Sequence, residues 1–169
     1  MRHVISALVE NEAGVLSRVV GLFSARGFNI ESLTVAPVGN LETSRITLVT
    51  QGEESIIEQI LKQLNKLVPV IQVADITEGP HVERELMLVK VTAEGEKRAE
   101  VLRIADIFRS RVVDTTPVSF IIEVTGESSK LDAFLNLLHP LGVTEMVRTG
   151  VVALPRGEKG MTGHKGSHS

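Results

Sequence analysis

The stretch HVISALVENEAGVLSRVVGLFSARGFNIESLTV, His3 to Val35, reads as strand, turn, helix, strand, and it decides the fold. His3 to Val9 is extended and apolar on both faces, with Ile5, Ala7 and Val9 alternating against Val4 and Leu8. Asn11-Glu12-Ala13-Gly14 then stops the strand with turn-forming residues. Leu16, Val19, Val20 and Phe23 recur at helical spacing while Ser17, Arg18, Ser24 and Arg26 take the other face, and Gly27 supplies the stop. Phe28 to Val35 follows as a second strand, ended by Ala36-Pro37.

Working outward, Val38 to Thr43 is short and polar enough for a hairpin into a strand over Ser44 to Thr50. A helix opens with Glu53-Glu54, favourable near its positive end, and carries Ile57, Ile60, Leu61 and Leu64 on one stripe. Val70 to Ile76 closes a βαββαβ unit. The order recurs after Gly79-Pro80, with a strand over Leu86 to Thr92 and a helical stripe of Val101, Ile104, Ala105 and Phe108. Strands over Arg111 to Thr116 and Phe120 to Val124 flank Pro117, and a helix capped by Ser128 or Ser129 buries Leu131, Phe134, Leu135 and Leu138. Val143 to Leu154 is expected as the closing strand. The architecture expected is α+β, two βαββαβ sandwiches in tandem over residues 1–78 and 85–155, with a linker at 79–84. Residues 156–169 are too poor in apolar side chains for a core and read as a flexible tail. The repeat is one of element order, not of residue identity.

Composition agrees: 169 residues, 43% hydrophobic and 23% charged, suit a globular chain of one large or two small domains. Apolar runs are far shorter than the roughly 20 residues a membrane helix needs, and no basic-then-apolar leader precedes the first strand, so a cytoplasmic protein is expected. The absence of Cys excludes disulfides, thiol nucleophiles and thiolate metal sites. Eighteen Lys and Arg against 21 Asp and Glu, with five Phe and neither Tyr nor Trp, give no basis for nucleic-acid binding. Apolar side chains on both faces of the strands predict that the sheet face left free by the helices packs on another copy or another domain.

Candidate chemistry centres on Asn11 to Gly14. A helix N-terminus offers free N–H groups and partial positive charge, so a carboxylate can approach the amides of Gly14 and Val15 past the missing side chain. Asn11 is placed to accept from an ammonium or to cap the helix; an ordinary turn with a capping Asn accounts for the same residues. Asn29 is unusual for a strand, and strand entry or an edge bulge is its simpler reading. Glu53 with Glu54 and Glu94 with Glu96 read as solvated helix starts, and Glu83-Arg84-Glu85 as a solvated linker. His164 and His168 have metal-like spacing without a third ligand, and His3, His81 and His139 are scattered. No catalytic pair and no metal site is argued.

The run Glu10-Asn11-Glu12-Ala13-Gly14-Val15-Leu16-Ser17-Arg18, continuing through Gly21-Leu22-Phe23-Ser24 and Arg26-Gly27-Phe28-Asn29-Ile30-Glu31-Ser32-Leu33-Thr34-Val35, closely resembles the small regulatory subunits of acetohydroxyacid synthase (acetolactate synthase). Gln63 to Val68, His81 to Lys90 and Lys130 to Phe134 extend the resemblance to about Gly157. It implies an ACT domain over 1–78 that binds an effector and dimerises, then a second ferredoxin-like domain over 85–155. It implies no catalysis and no cofactor in this chain. The expected partner is a large catalytic subunit using thiamine diphosphate, Mg and FAD, which the small subunit activates and makes sensitive to valine or another branched-chain amino acid. The effector then sits between two ACT domains, its carboxylate on the amides at Gly14 and Val15. Its ammonium is on carbonyl oxygens of Asn11 or Asn29, the latter from the neighbouring copy, and its side chain lies against Leu16, Ile30 or Val35; Ala13 completes the loop. An ACT-type amino-acid sensor serving another enzyme or a transcription system is the alternative.

Overall fold

A computed structural model describes residues 1–39 and 41–161 and divides them into two units, 1–82 with 151–161 and 83–150. The first contains β1 (Arg2–Glu10), α1 (Val15–Ala25), β2 (Ile30–Pro37), β3 (Thr43–Gln51), α2 (Glu54–Lys66) and β4 (Val70–Asp75). The sheet order is β2-β3-β1-β4, all pairs antiparallel. The register Ile5↔Leu48 and Ala7↔Ile46 gathers these residues with Val9 and Val70 on one face. There they pack with Val15, Val19 and Phe23 of α1 and Ile57, Ile60 and Leu64 of α2. The buried stripe of α1 thus begins at Val15. Leu16, expected within it, is exposed, because the turn through Gly14 aims the first helical residue at the sheet.

Val4 and Val49 face the opposite way and join Ile76, Val151 and Ala153 in a second cluster. Val151 N–H donates to Ser32 Oγ at 2.8 Å and Arg45 Nη2 to the Ala153 carbonyl at 3.2 Å. Burial pulls the Arg45 guanidinium below its usual pKa. The face expected to meet another copy or domain is therefore covered in part by the chain's own returning segment. At the end of β1, the Asp75 carboxylate accepts from His3 Nδ1 at 2.7 Å and from the Thr77 hydroxyl and N–H. Thr77 Oγ1 also accepts from Val4 N–H at 2.9 Å.

The second unit holds most of β5 (His81–Thr92), then α3 (Glu96–Ile107), β6 (Arg111–Thr116), β7 (Ser119–Gly126), α4 (Ser128–Gly142) and β8 (Val143–Arg148), in sheet order β6-β7-β5-β8. Met87, Val89, Val91, Phe120, Ile122 and Val124 form its core with Val101, Ile104 and Ala105 of α3 and Leu131, Phe134 and Leu138 of α4.

Three expectations are corrected. Residues 81–84, read as linker, are strand: they precede the register with β7, which begins at Glu85, and the returning β9 pairs with β5; Glu85, read as solvated, is only 7% exposed. The closing strand over Val143 to Leu154 breaks at Thr149-Gly150. Its second part, β9 (Val152–Pro155), belongs to the first unit, where Arg156 N–H donates to the Pro80 carbonyl. Neither Ser128 nor Ser129 caps α4: the N-cap is Glu127, and Ser128 Oγ donates to Glu85 instead. His164 and His168 lie outside the described residues, as does the end of the tail from 162 onward.

Candidate functional site

The loop from β1 to α1 sits at the corner of the first unit where β1, the β2–β3 hairpin and α1 meet. Asn11 N–H donates to the Glu42 carbonyl, and Asn11 Nδ2 donates to the Leu41 carbonyl, both at 2.8 Å. The side chain thus ties the loop to the hairpin and does not cap α1, which has no side-chain cap. Its Oδ1 is left without a partner among the described residues. Glu12 N–H turns back onto the Glu10 carbonyl, making the stop tight.

Gly14 occupies the left-handed region, φ 85°, where a side chain brings strain, and a Cβ placed there would meet nothing within 4 Å. Both properties keep the approach to the helix end open. The N–H groups of Gly14, Leu16 and Ser17 have no acceptor among the described residues, and Val15 N–H has only a long bond, 3.5 Å, to the Glu12 carbonyl. These are the unsatisfied donors of a helix start, with its partial positive charge. The loop can therefore offer an anion several N–H groups and a cation one amide oxygen. Leu16 adds an exposed apolar side chain, whereas the Val15 side chain is buried and only its backbone is available; Val35 is exposed farther along, on β2 opposite Ile46. Ala13 is exposed within the loop.

Asn29 and Ile30 lie elsewhere. Asn29 precedes β2 rather than sitting in it, and its carbonyl accepts from Thr50 Oγ1 at 2.9 Å. Glu10 pairs with Thr43, so Asn11 follows one end of β3, and Asn29 adjoins the other. Thr43 to Thr50 is about 23 Å at the rise of a strand. Within one chain, Asn11, Ala13, Gly14, Val15 and Leu16 follow one another at one corner, Asn29 and half-buried Ile30 stand at the opposite end, and Val35, opposite Ile46, lies on β2 between the two. β2, however, is an edge strand. Two copies paired antiparallel along it would carry the start of one β2 toward the end of the other.

Glu53, Glu54, Glu94 and Glu96 are exposed, as the reading of solvated helix starts requires. Among the described residues no three His, Asp or Glu side chains are grouped to hold a metal, and no helix is long and apolar enough to cross a membrane. Sequence reasoning missed Glu85. Its carboxylate accepts from Arg148 Nε at 2.7 Å, from Arg148 Nη2 at 3.1 Å and from Ser128 Oγ at 2.8 Å, while Arg148 Nη1 reaches Asp132 at 2.6 Å.

Comparison with known proteins bears on both units. Residues 5–72 match the family described as the AHAS small subunit-like ACT domain, and residues 84–157 the family described as the small subunit of acetolactate synthase. The chain is 52% identical over 159 residues to a probable acetolactate synthase small subunit of Archaeoglobus fulgidus, covering 94% of this chain and 99% of that one. It is also 52% identical over 160 residues to the acetolactate synthase isozyme 3 small subunit of Salmonella typhimurium, covering 94% and 98%. The crystal structure of the acetolactate synthase small subunit from Thermotoga maritima superposes with a TM-score of 0.85 at 40% identity, covering 94% of this chain and 99% of that one.

Proposed function

The chain belongs to the family of acetolactate synthase small subunits, and from that premise we propose that it is the regulatory subunit that activates the large catalytic subunit and confers feedback inhibition by valine. The small-subunit family implies a large-subunit partner, and thiamine diphosphate, Mg and FAD belong to that partner in this reading. The observation that carries the effector site is the corner at Asn11 to Gly14, where free N–H groups, an unpartnered amide oxygen and exposed Leu16 coincide.

An α-amino acid presents three matching groups. Its carboxylate takes the N–H groups at the start of α1, its ammonium takes Asn11 Oδ1 and Asn29 of a second copy, and a branched aliphatic side chain lies on Leu16 and Val35 of one copy and Ile30 of the other. A site built across two β2 strands explains how Asn29 serves although it stands far from Asn11 in its own chain. The anion at the helix end contributes about 0.3–2 kcal/mol and burial of an isopropyl group about 1.5 kcal/mol, so the affinity is modest. Valine inhibits only to the extent that it binds the less active arrangement of the pair more tightly, a difference of about 1–3 kcal/mol for a typical effector.

The test is acetolactate formation from pyruvate by the large subunit of the same organism, alone, with this chain, and with this chain plus valine. Stimulation reversed by valine is expected. Gly14→Asp sets a carboxylate beside that of the ligand and strains the left-handed position; it is expected to abolish the valine response and keep the stimulation. A wild-type valine response in that variant would reject this pocket. Stimulation that no branched-chain amino acid reverses would leave an activator without a sensor, and absence of both stimulation and co-purification would point to an amino-acid sensor serving another partner.

A further inference from the structure

The sheet face of the first unit that turns away from the helices carries polar residues beside its apolar cluster. Ser6 of β1 stands opposite Thr47 of β3, and Arg45, two residues before Thr47, shares their face. Ser6 is 0% exposed and Thr47 4%. The Ser6 hydroxyl and Arg45 Nε are both closed to solvent, and neither has a hydrogen-bond partner among the described residues. The guanidinium's one partner there is the Ala153 carbonyl, at 3.2 Å from Nη2, and no carboxylate among the described residues pairs with it. Burial depresses its pKa with no acidic group to oppose the effect. A buried hydroxyl and a desolvated cation are thus left unsatisfied on one face, and each is costly in that state.

We propose that these residues form a buried anion site, in which one halide-sized monovalent ion accepts from the Ser6 hydroxyl and from Arg45 Nε, with the Thr47 hydroxyl on the same face as a third donor. A guanidinium only donates and a hydroxyl is able to, so the ligand they share is an acceptor. The protein charge at this place is a single uncompensated cation, so the ligand that satisfies both needs carries one negative charge. A water molecule accepts the same hydrogen bonds but leaves the charge unpaired. Ser6 and Arg45 occupy a cross-strand diagonal, about 7–8 Å apart along the sheet, a spacing that one atom bridges between two side chains. A phosphate or a carboxylate brings further acceptor atoms that would need donors of their own, whereas an ion of one atom does not.

The site bears on the returning segment. Arg45 is the side chain that joins the sheet to Ala153, and Val151 N–H is held beside it by Ser32 Oγ, on the residue opposite Val49. An ion on Nε fixes the guanidinium so that Nη2 stays on the Ala153 carbonyl. Without the ion, Arg45 gains by turning toward water, and the hold on Val151 to Ala153 loosens. The ion is in this sense a latch for the segment. None of the residues assigned to the amino-acid effector takes part in it.

The experiment compares the full chain in sodium chloride, sodium bromide and sodium gluconate at equal ionic strength, gluconate being too large for the site. For wild type, chloride and bromide are expected to raise the thermal-unfolding midpoint saturably, by about 3–6 °C at tenfold the half-saturating concentration. Amide exchange at Val151 should slow over the same concentrations, and crystals grown in bromide should show anomalous scattering between Ser6 Oγ and Arg45 Nε. Ser6→Ala removes a donor and also an unsatisfied hydroxyl, so it should be at least as stable as wild type in gluconate and gain less than wild type from a halide. Arg45→Met should lose the halide response altogether; where far-UV circular dichroism shows that it fails to fold, Ser6→Ala decides. Equal midpoints in halide and gluconate, a halide response undiminished in Ser6→Ala, or a water molecule in place of bromide would overturn the proposal. No large subunit and no amino acid enters the measurement, so its outcome is independent of the valine response.

Discussion

Glu85 shows what a carboxylate does when its partner is distant in sequence. It lies on the core side of β5, and Arg148 from β8 binds it through two nitrogens while also holding Asp132 of α4. Burial by itself lowers the pKa of Arg148, but the bonds to Glu85 and Asp132 outweigh it and raise the pKa above its ordinary value. Removing one member of a buried pair costs about 3–5 kcal/mol because the other remains buried and charged. Arg148→Ala should therefore lower the chemical-denaturation midpoint sharply, while the paired replacement Glu85→Leu with Arg148→Met should come close to wild type. Equal losses in both would assign the effect to packing. The partner, 63 positions away, was illegible in the sequence, but the core-side phase of β5 was legible and should have removed Glu85 from a solvated linker. The loop at Asn11 to Gly14 was readable as a turn into a helix. The commitment of Asn11 Nδ2 to the hairpin was not, because it depends on how β3 brings Leu41 close.

At the level of elements, period and turn chemistry identified both βαββαβ orders, since alternating strands and amphipathic helices leave direct traces. Faces and ends were less legible. The buried stripe of α1 starts one residue early, β5 begins at His81, and the last strand divides at Thr149-Gly150; each depends on how the chain arrives, which periodicity does not encode. The join of β1 and β4 carries a measurable consequence. Burial raises the pKa of Asp75, yet the bonds from Thr77 and His3 outweigh it and hold the carboxyl below its usual value. A carboxyl whose pKa is lower folded than unfolded stabilises the fold above its unfolded value, about 3.9, and that contribution fades as pH falls through the folded value. Asp75→Asn should therefore flatten the loss of stability on acidification below about pH 4. An unchanged slope of unfolding free energy against pH would show that the clamp contributes nothing.

For the whole molecule, the sequence revealed two units but not where the chain returns. Val151 and Ala153 cover Val4 and Val49, so a fragment ending at residue 78 lacks part of its own unit. Val151→Ala removes two methyl groups from a buried position and should cost about 1.5–3 kcal/mol. The loss should be local: amide hydrogen exchange is expected to quicken at Val4 and Val49 and to stay unchanged at Met87 and Ile122. Faster exchange at the latter pair would show that the units unfold together.

The same return path affects how the protein withstands proteolysis. The chain leaves the first unit at Val82 and re-enters it at Val151, so the second unit is an insertion rather than an appendage. A single nick in any of its loops yields one fragment carrying β1 to β4 and another carrying β9, whose Val151 and Ala153 side chains pack against Val4 and Val49 of the first. After a single cut within the second unit, each of its two pieces is still joined through the backbone to a part of the first unit.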